Sequence, residues 1–520
     1  MNKTRYLLAA TCALCAATVL ADVKLATIFT SNMVLQREKE VPVWGWAGPG
    51  EEIAVAFAGQ NLRTTANAKG EWEVRLTPLA ASTNGRPLIV TGKNALTNAN
   101  VLVGDVWLCS GQSNMEMSFA WGVLDGPAFL AEAASFPMIR RIKVSKKKAE
   151  VPLQNVGVDS AWSVCHTNTA RDYTAAGYFF ARRLVLELGV PIGLLDDNWS
   201  GCQIEPFMAP ESFEAEQLQS FVPAIRQRMV GTPEWKATWE KQVGVVKRWV
   251  ADSEAALAAG TALPPQVQPL ASSGACSQYH AMIAPIVKFP IKGALWYQGC
   301  SNAGDNESYR FKLKGLADGW RQAWGYDFPF YYVQLAAFTA PTSDPEGGNG
   351  YARIRDGMRL AMTNIVDSGM ACAIDIGMAN DIHPKNKIDV GERLARWALA
   401  KTYGKADVVP SGPLFKAMKP GVGDLVLEFD YADGLMTAAK EGLAPPVPTP
   451  GVAPKHFAIA GADRVWHWAD AEIRGSTIVV SSDKVPEPVA VRYAFRAYPD
   501  GVNVYNAAGL PMVPFRTDSW

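Results

Sequence analysis

Between Val101 and about Gly404, apolar runs of strand length alternate with stretches that carry apolar residues at helical spacing, and nothing else in the chain restricts the fold as tightly. Strands separated by crossover helices pair in parallel, so this region is expected to form an α/β domain, a parallel sheet with helices on both faces. The expected strands are Val101 to Cys109, Pro191 to Leu195, Ile291 to Tyr297, Phe330 to Leu335 and Met370 to Ile376. Phe180, Leu184 and Leu188 mark one helix stripe that stops at Gly189, and Val390, Leu394 and Trp397 mark another that stops at Gly404. Residues 210–270 break the rhythm with a helical stretch bearing Trp, Lys and Glu that ends in a proline-rich piece, and they read as an insertion.

The flanks have a different texture. From Asp22 to Leu102 short apolar runs (Val41 to Trp46, Ile53 to Phe57, Trp72 to Leu76, Leu88 to Thr91) are punctuated by Gly, Pro and Asn, which predicts a small β-sandwich over 22–102. Runs such as Ile478 to Ser481 and Val489 to Phe495 predict a second β-domain over 411–520. A chain of 520 residues exceeds one hydrophobic core, so the central unit is expected over 103–410 between the two. At the amino end, Lys3 and Arg5 precede an apolar run from Leu7 to Ala21, with Val19 and Ala21 placed for cleavage before Asp22. Residues 1–21 therefore read as an export signal, too short to span a bilayer. The mature chain is expected in the periplasm or outside the cell, with no segment inserted in a membrane.

Lys plus Arg and Asp plus Glu both number 50, so no net field draws the chain to nucleic acid, and a neutral partner fits better. Six cysteines follow the signal, from Cys109 to Cys372. None is spaced as CxxC and there is no HExxH, so no metal and no cofactor is expected. Disulfides are permitted in an exported chain, but the pairing stays open.

In an α/β sheet the working residues sit on loops at the carboxyl ends of strands. After the first strand runs Ser110-Gly111-Gln112-Ser113-Asn114-Met115, where Ser113 opens a helix with an exposed hydroxyl, as a nucleophile or as a plain helix cap. The GxSxG elbow is absent. A serine needs a base, and of five histidines only His383 falls just past the last strand, in Asn380-Asp381-Ile382-His383-Pro384. An extended chain would put the Asp381 carboxylate beside the ring, and a helical turn would put Asn380 there. After the second strand, Trp199-Ser200-Gly201 offers a backbone N–H at Gly201 for an oxyanion. After the third, Trp296-Tyr297-Gln298-Gly299-Cys300-Ser301-Asn302 offers the Asn302 amide.

These blocks, together with Phe179-Phe180-Ala181-Arg182, Pro191-Ile192-Gly193, Ala490-Val491-Arg492-Tyr493 and the tail from Gly509 to Asp518, resemble the sialate O-acetylesterase family of SGNH hydrolases over nearly the whole mature chain. The resemblance implies a flavodoxin-like catalytic domain flanked by β-domains, and hydrolysis of acetyl esters on sialic acids without a cofactor. It implies Ser113 as nucleophile, His383 as base, and Ser113, Gly201 and Asn302 as oxyanion donors; Asn380 stands where the wider superfamily has its aspartate, and the acid is then Asp381, where the family commonly has aspartate, or is replaced by a backbone carbonyl in a Ser113–His383 dyad. Gln112, Gln298 and Trp199 are then placed either to touch the sugar or to pack their loops. The chain departs from the family at Cys300, where glutamate is usual, and at Ser200, where glycine is usual. An esterase acting on acetylated xylan or another glycan would share the mechanism, whereas a non-catalytic carbohydrate-binding protein would not keep the serine, histidine and asparagine together.

Overall fold

The computed structural model describes residues 22–227, 229–267 and 274–520; the export signal expected in residues 1–21 lies outside them. The strand Ala95–Gly111, 17 residues long, belongs to two units. Its first part pairs antiparallel with Ser82–Thr91, and from Asp105 onward it runs between Ile192–Asn198 and Gly293–Tyr297, parallel to both. Phe330–Val333 and Ser368–Ala371 extend the parallel sheet beyond Gly293–Tyr297. Numbered in chain order, these five strands stand 2-1-3-4-5. The strand order reverses at Ala95–Gly111, so its carboxyl end and that of Gly293–Tyr297 open the crevice in which such sheets hold ligands.

The faces are closed as the periodicity requires. Phe180, on the helix Ala175–Leu188, meets Trp107 edge-on with centroids 4.9 Å apart. On the other face Trp320, from the helix Tyr309–Trp324, packs on Trp296 and Phe330 at 5.7 and 6.3 Å. Two expectations need correction. The last strand ends at Ala371 and does not reach Ile376, because Arg393 takes the Cys372 carbonyl at 2.6 Å and the Asp375 carboxylate, turning the chain out of the sheet. The sheet also gains an edge where the alternation places no strand: Ile139–Val144 lies parallel to Ile192–Asn198 and carries Val158–Val164 antiparallel outside it. Three of its six residues are basic, so it reads as solvated chain, yet Arg141 and Lys143 converge on buried Asp196 at 2.8 and 3.0 Å.

Ahead of this sheet stand two antiparallel sheets, one of Lys24–Leu25, Val41–Trp46 and Glu71–Leu76, the other of Gln60–Thr65, Glu52–Phe57, Ser82–Thr91 and the first part of Ala95–Gly111. Behind it, Leu414–Pro420, Asp424–Asp430, Thr477–Ser481 and Asp470–Arg474 form one antiparallel sheet, and Trp466–Trp468, Phe457–Ala460, Ala490–Tyr493 and Phe515–Arg516 another. Arg355, fully buried on the helix Gly350–Ala361, donates to the carbonyls of Ala336 and Ala497 at 3.2 Å, which locks this last unit to the central one. The interrupting segment contains the helix Pro233–Ala259, in which Ser253 alone is buried. All six cysteines from Cys109 to Cys372 are free thiols. No helix among the described residues is long and apolar enough to cross a membrane.

Candidate active site

At the end of the central strand, Gly111 has a φ of +136°, and a Cβ there would fall 2.3 Å from the Tyr297 carbonyl oxygen. Only glycine permits that approach, and it lets the Gln112 N–H donate to the Tyr297 carbonyl at 3.0 Å before the chain turns into the short helix Ser113–Glu116. The Gln112 carbonyl oxygen of the side chain accepts from the N–H groups of Gly299 and Ser301 at 3.0 and 3.4 Å, pinning the third loop to the first. Ser113 itself is half-buried, and neither its hydroxyl nor its N–H has a hydrogen-bond partner among the described residues. The capping position falls to Gln112, so Ser113 is not spent as a helix cap.

His383 comes from the loop after the last strand, where Met378 and Asp381 bridge to close a tight turn. The Asp381 carboxylate accepts the His383 backbone N–H at 2.8 Å and lies 3.6 Å from Nδ1, beside the ring but beyond a good hydrogen bond. Burial alone would raise the Asp381 pKa; the bond from the His383 N–H and the Lys385 ammonium at 3.2 Å hold it below its ordinary value. Asn380, the other candidate for orienting the ring, is exposed and forms no hydrogen bond among the described residues. The Nε2 atom of His383 is shielded from solvent and has no partner. Burial first, then Lys387 and Lys385, push the ring pKa down against the opposing pull of Asp381, so at neutral pH the ring is a free base. The indole of Trp121 stands edge-on to the imidazole, centroids 5.7 Å apart.

The two loops are tied together beside these residues. Asn114 Nδ2 donates to the Ile382 carbonyl at 3.0 Å, linking the residue after Ser113 to the residue before His383. The Leu124 N–H donates to the Lys385 carbonyl at 2.9 Å, and Lys385 Nζ donates to the Trp121 carbonyl at 3.3 Å. No hydrogen bond joins the Ser113 hydroxyl to the ring; in unliganded sites such bonds are often long and tighten on binding.

The second loop is anchored through its neighbours. The Trp199 N–H donates to the Gly111 carbonyl at 3.0 Å, and Ser200 gives its N–H and hydroxyl to the Glu116 carboxylate at 2.8 and 2.5 Å. Gly201 follows with φ +73°, exposed, its N–H without a partner among the described residues. Trp199 is half-buried, with Lys148 Nζ 5.3 Å from its ring centre.

The third loop is bonded throughout. Asn302 Nδ2 donates to Asp305 at 2.8 Å and to Glu205 at 3.2 Å, while its Oδ1 accepts from the Ile204 N–H at 3.0 Å and from Gln298 at 2.8 Å. Lys312, nearly fully buried, bridges Glu205 and Asp305 from behind at 2.5 and 2.6 Å. Gln298 gives its other amide proton to the Cys202 carbonyl at 3.1 Å and accepts from the Tyr309 hydroxyl at 2.6 Å. The structure thus ties together the loops that carry Ser113, His383 with Asp381, and Gly201, and places the amides of Asn302 and Gln298 on the adjoining loop with their protons committed. Glu116, Trp121 and Lys387 flank the same loops and lie outside any catalytic motif of the sequence. Only the helical spacing of Glu116 from Gln112 and Ser113 hinted at one of them.

A half-exposed serine, a neutral imidazole and unpartnered N–H groups are the parts that acyl transfer needs. A family model described as carbohydrate esterase, sialic acid-specific acetylesterase, matches residues 258–400. The sialate O-acetylesterase of Mus musculus is 28% identical over 540 residues, covering 95% of this chain and 94% of the relative. That of Homo sapiens is 27% identical over 429 residues, covering 75% and 73%. The crystal structure of a carbohydrate acetylesterase from Xanthomonas citri superposes with a TM-score of 0.79 at 34% identity, covering 96% of this chain and all of that one. Fold, site and likeness together define an ester hydrolase of the carbohydrate esterase class. Within that class, the chain belongs with the carbohydrate acetylesterases, and it resembles the sialate O-acetylesterases over most of its length.

Proposed function

We propose that this protein removes acetyl groups from O-acetylated sugars, sialic acids above all, through a serine nucleophile. The observation that carries the reading is the solvent-shielded, unpartnered Nε2 of His383, held by the Asn114–Ile382 bond next to the turn that presents the free Ser113 hydroxyl. His383 Nε2 takes the Ser113 proton as Oγ attacks the acetyl carbonyl, and the Asp381 carboxylate stabilises the imidazolium so formed. The oxyanion meets the N–H groups of Ser113 and Gly201. The imidazolium then protonates the leaving sugar oxygen, and water, activated by the same ring, frees acetate from the acyl-serine. Asn302 serves this site by holding the wall, since both its amide protons go to carboxylates; Gln112 and Gln298 do the same. Trp199 remains the side chain placed to meet the sugar.

We read the strand order 2-1-3-4-5 as the flavodoxin-like arrangement of an SGNH hydrolase, with the site at its switch point. The units before and after it serve as flanking β-domains, and the export signal places the reaction outside the cytoplasm. The test is acetate release from O-acetylated sialic acid, acetylated xylan, acetylated hexosamine and a chromogenic acetyl ester, by the intact chain and by Ser113→Ala. Sialic acid and the chromogenic ester should be deacetylated by the former only. Faster release from xylan would change the substrate class, and no release from any of the four would overturn the reading.

A further inference from the structure

Lys387 opens the helix Lys387–Trp397 and is completely shielded from solvent, yet among the described residues no carboxylate lies within ion-pair distance of it. Burying an ammonium without a counter-charge is costly, and burial pushes its pKa down to about 7, with the Cys300 thiol, Lys385, Asp381 and His383 the other titratable groups that face it. Its Nζ donates to Asn114 Oδ1 at 2.6 Å and stands 5.3 Å from the centre of the Tyr297 ring. Asn114 follows Ser113 directly, and its Nδ2 holds the carbonyl that precedes His383. An ammonium can only donate. The Lys387 ammonium and the Ile382 carbonyl, which can only accept, together fix which way the Asn114 amide faces: Oδ1 toward Lys387, Nδ2 toward Ile382. The charged groups that face His383 are Asp381, Lys385 and Lys387; Trp121, packed against the ring, carries none. Lys387 is charged below about pH 7, and burial with the two lysines holds the ring's pKa below its ordinary value.

We propose that Lys387 is a positioning residue for the esterase reaction: through the Asn114 amide it sets the placement of the His383 loop against the Ser113 turn, and its ammonium opposes a second positive charge on the ring. The proposal rests on the Ser113–His383 reading above. It is tested on the full-length chain with Lys387→Met and Asn114→Leu. In Lys387→Met the turnover number for a chromogenic acetyl ester should fall about tenfold or more, with KM within about twofold. The His383 ring, followed by NMR in 13C-histidine-labelled Ser113→Ala protein and assigned by its loss in His383→Gln, should titrate at least about half a pH unit higher when Lys387→Met is added. Asn114→Leu should lose turnover similarly while the ring titration stays put, and it carries the test alone if Lys387→Met does not fold. Turnover within about twofold of the parent in either folded variant, or an unmoved ring titration in Lys387→Met, overturns the proposal. The titration needs no turnover, so a parent chain that hydrolyses no ester would sink the Ser113–His383 reading while leaving the role of Lys387 to be decided by NMR.

Discussion

On the Gly293–Tyr297 side of the crevice the loop amides are saturated: Gln298 and Asn302 together make hydrogen bonds to Cys202, Ile204, Glu205, Asp305 and Tyr309. On the Ser113 side the hydroxyl and N–H of Ser113, the N–H of Gly201 and Nε2 of His383 have no partner among the described residues. Both are loops at the carboxyl ends of neighbouring parallel strands. Leaving the shielded Nε2 of His383 unpaired costs stability, a cost that a reaction at Ser113 accounts for, whereas the saturated side builds the wall. Function here is written in the bonds the fold withholds.

The comparison breaks most sharply on the open side. Ser113→Ala and His383→Ala should each cut turnover at least about a thousandfold while leaving the thermal unfolding midpoint nearly unchanged, as measured by acetyl ester hydrolysis and calorimetry. Asp381→Asn comes next. With its carboxylate 3.6 Å from Nδ1, loss of its charge should lower turnover by about tenfold or more at constant KM, whereas Asn380→Ala, exposed and without a hydrogen bond among the described residues, should stay within about twofold. A drop below about fivefold in Asp381→Asn would reduce the triad to a dyad.

On the saturated side the order of effects inverts. Asn302→Ala leaves the Ile204 N–H and two carboxylates short of a partner, so it should cost roughly 1–3 kcal/mol of stability, read by denaturant unfolding, with turnover falling less than in Asp381→Asn. The smallest effect concerns a group that is open but unused. Asp196 and Asp197 adjoin on one strand: burial would raise both, but Lys143 and Arg141 hold Asp196 low, while burial lifts the unpartnered Asp197 to about 7. In the unfolded chain Asp197 ionises near the ordinary aspartate value, so its protonated folded form supports the fold fully below that value and loses this contribution as pH rises through about 7. Asp197→Asn should therefore raise the unfolding temperature more at pH 8 than at pH 4.

Ser113 and His383 were legible because strand-end loops in an alternating β/α chain are where function concentrates, and five histidines left little choice. Asp381 was legible only as one of two neighbours, since the turn closed by the Met378–Asp381 bridge was needed to decide between it and Asn380. The commitment of the Asn302 amide was not legible. It depends on Glu205, which is far from it in the chain and reaches it only through folding, where Lys312 holds Glu205 and Asp305 together. Lys387 reads as one more charged residue at the start of an amphipathic helix, and its burial follows from how that helix packs beside Tyr297. The strand Ile139–Val144 was hidden for a related reason: Arg141 and Lys143 find Asp196 on the next strand, and Arg140 finds the Pro137 and Asn32 carbonyls.

The central claim is that the Ser113 hydroxyl is the nucleophile and His383 its base. A fluorophosphonate reacts covalently with a serine activated in this way, so peptide mass spectrometry of the treated, intact enzyme tests it directly. The account predicts a single adduct on Ser113, formed in step with loss of acetyl ester hydrolysis and nearly abolished in His383→Ala. An adduct on a different serine, or full activity with Ser113 modified, would contradict it.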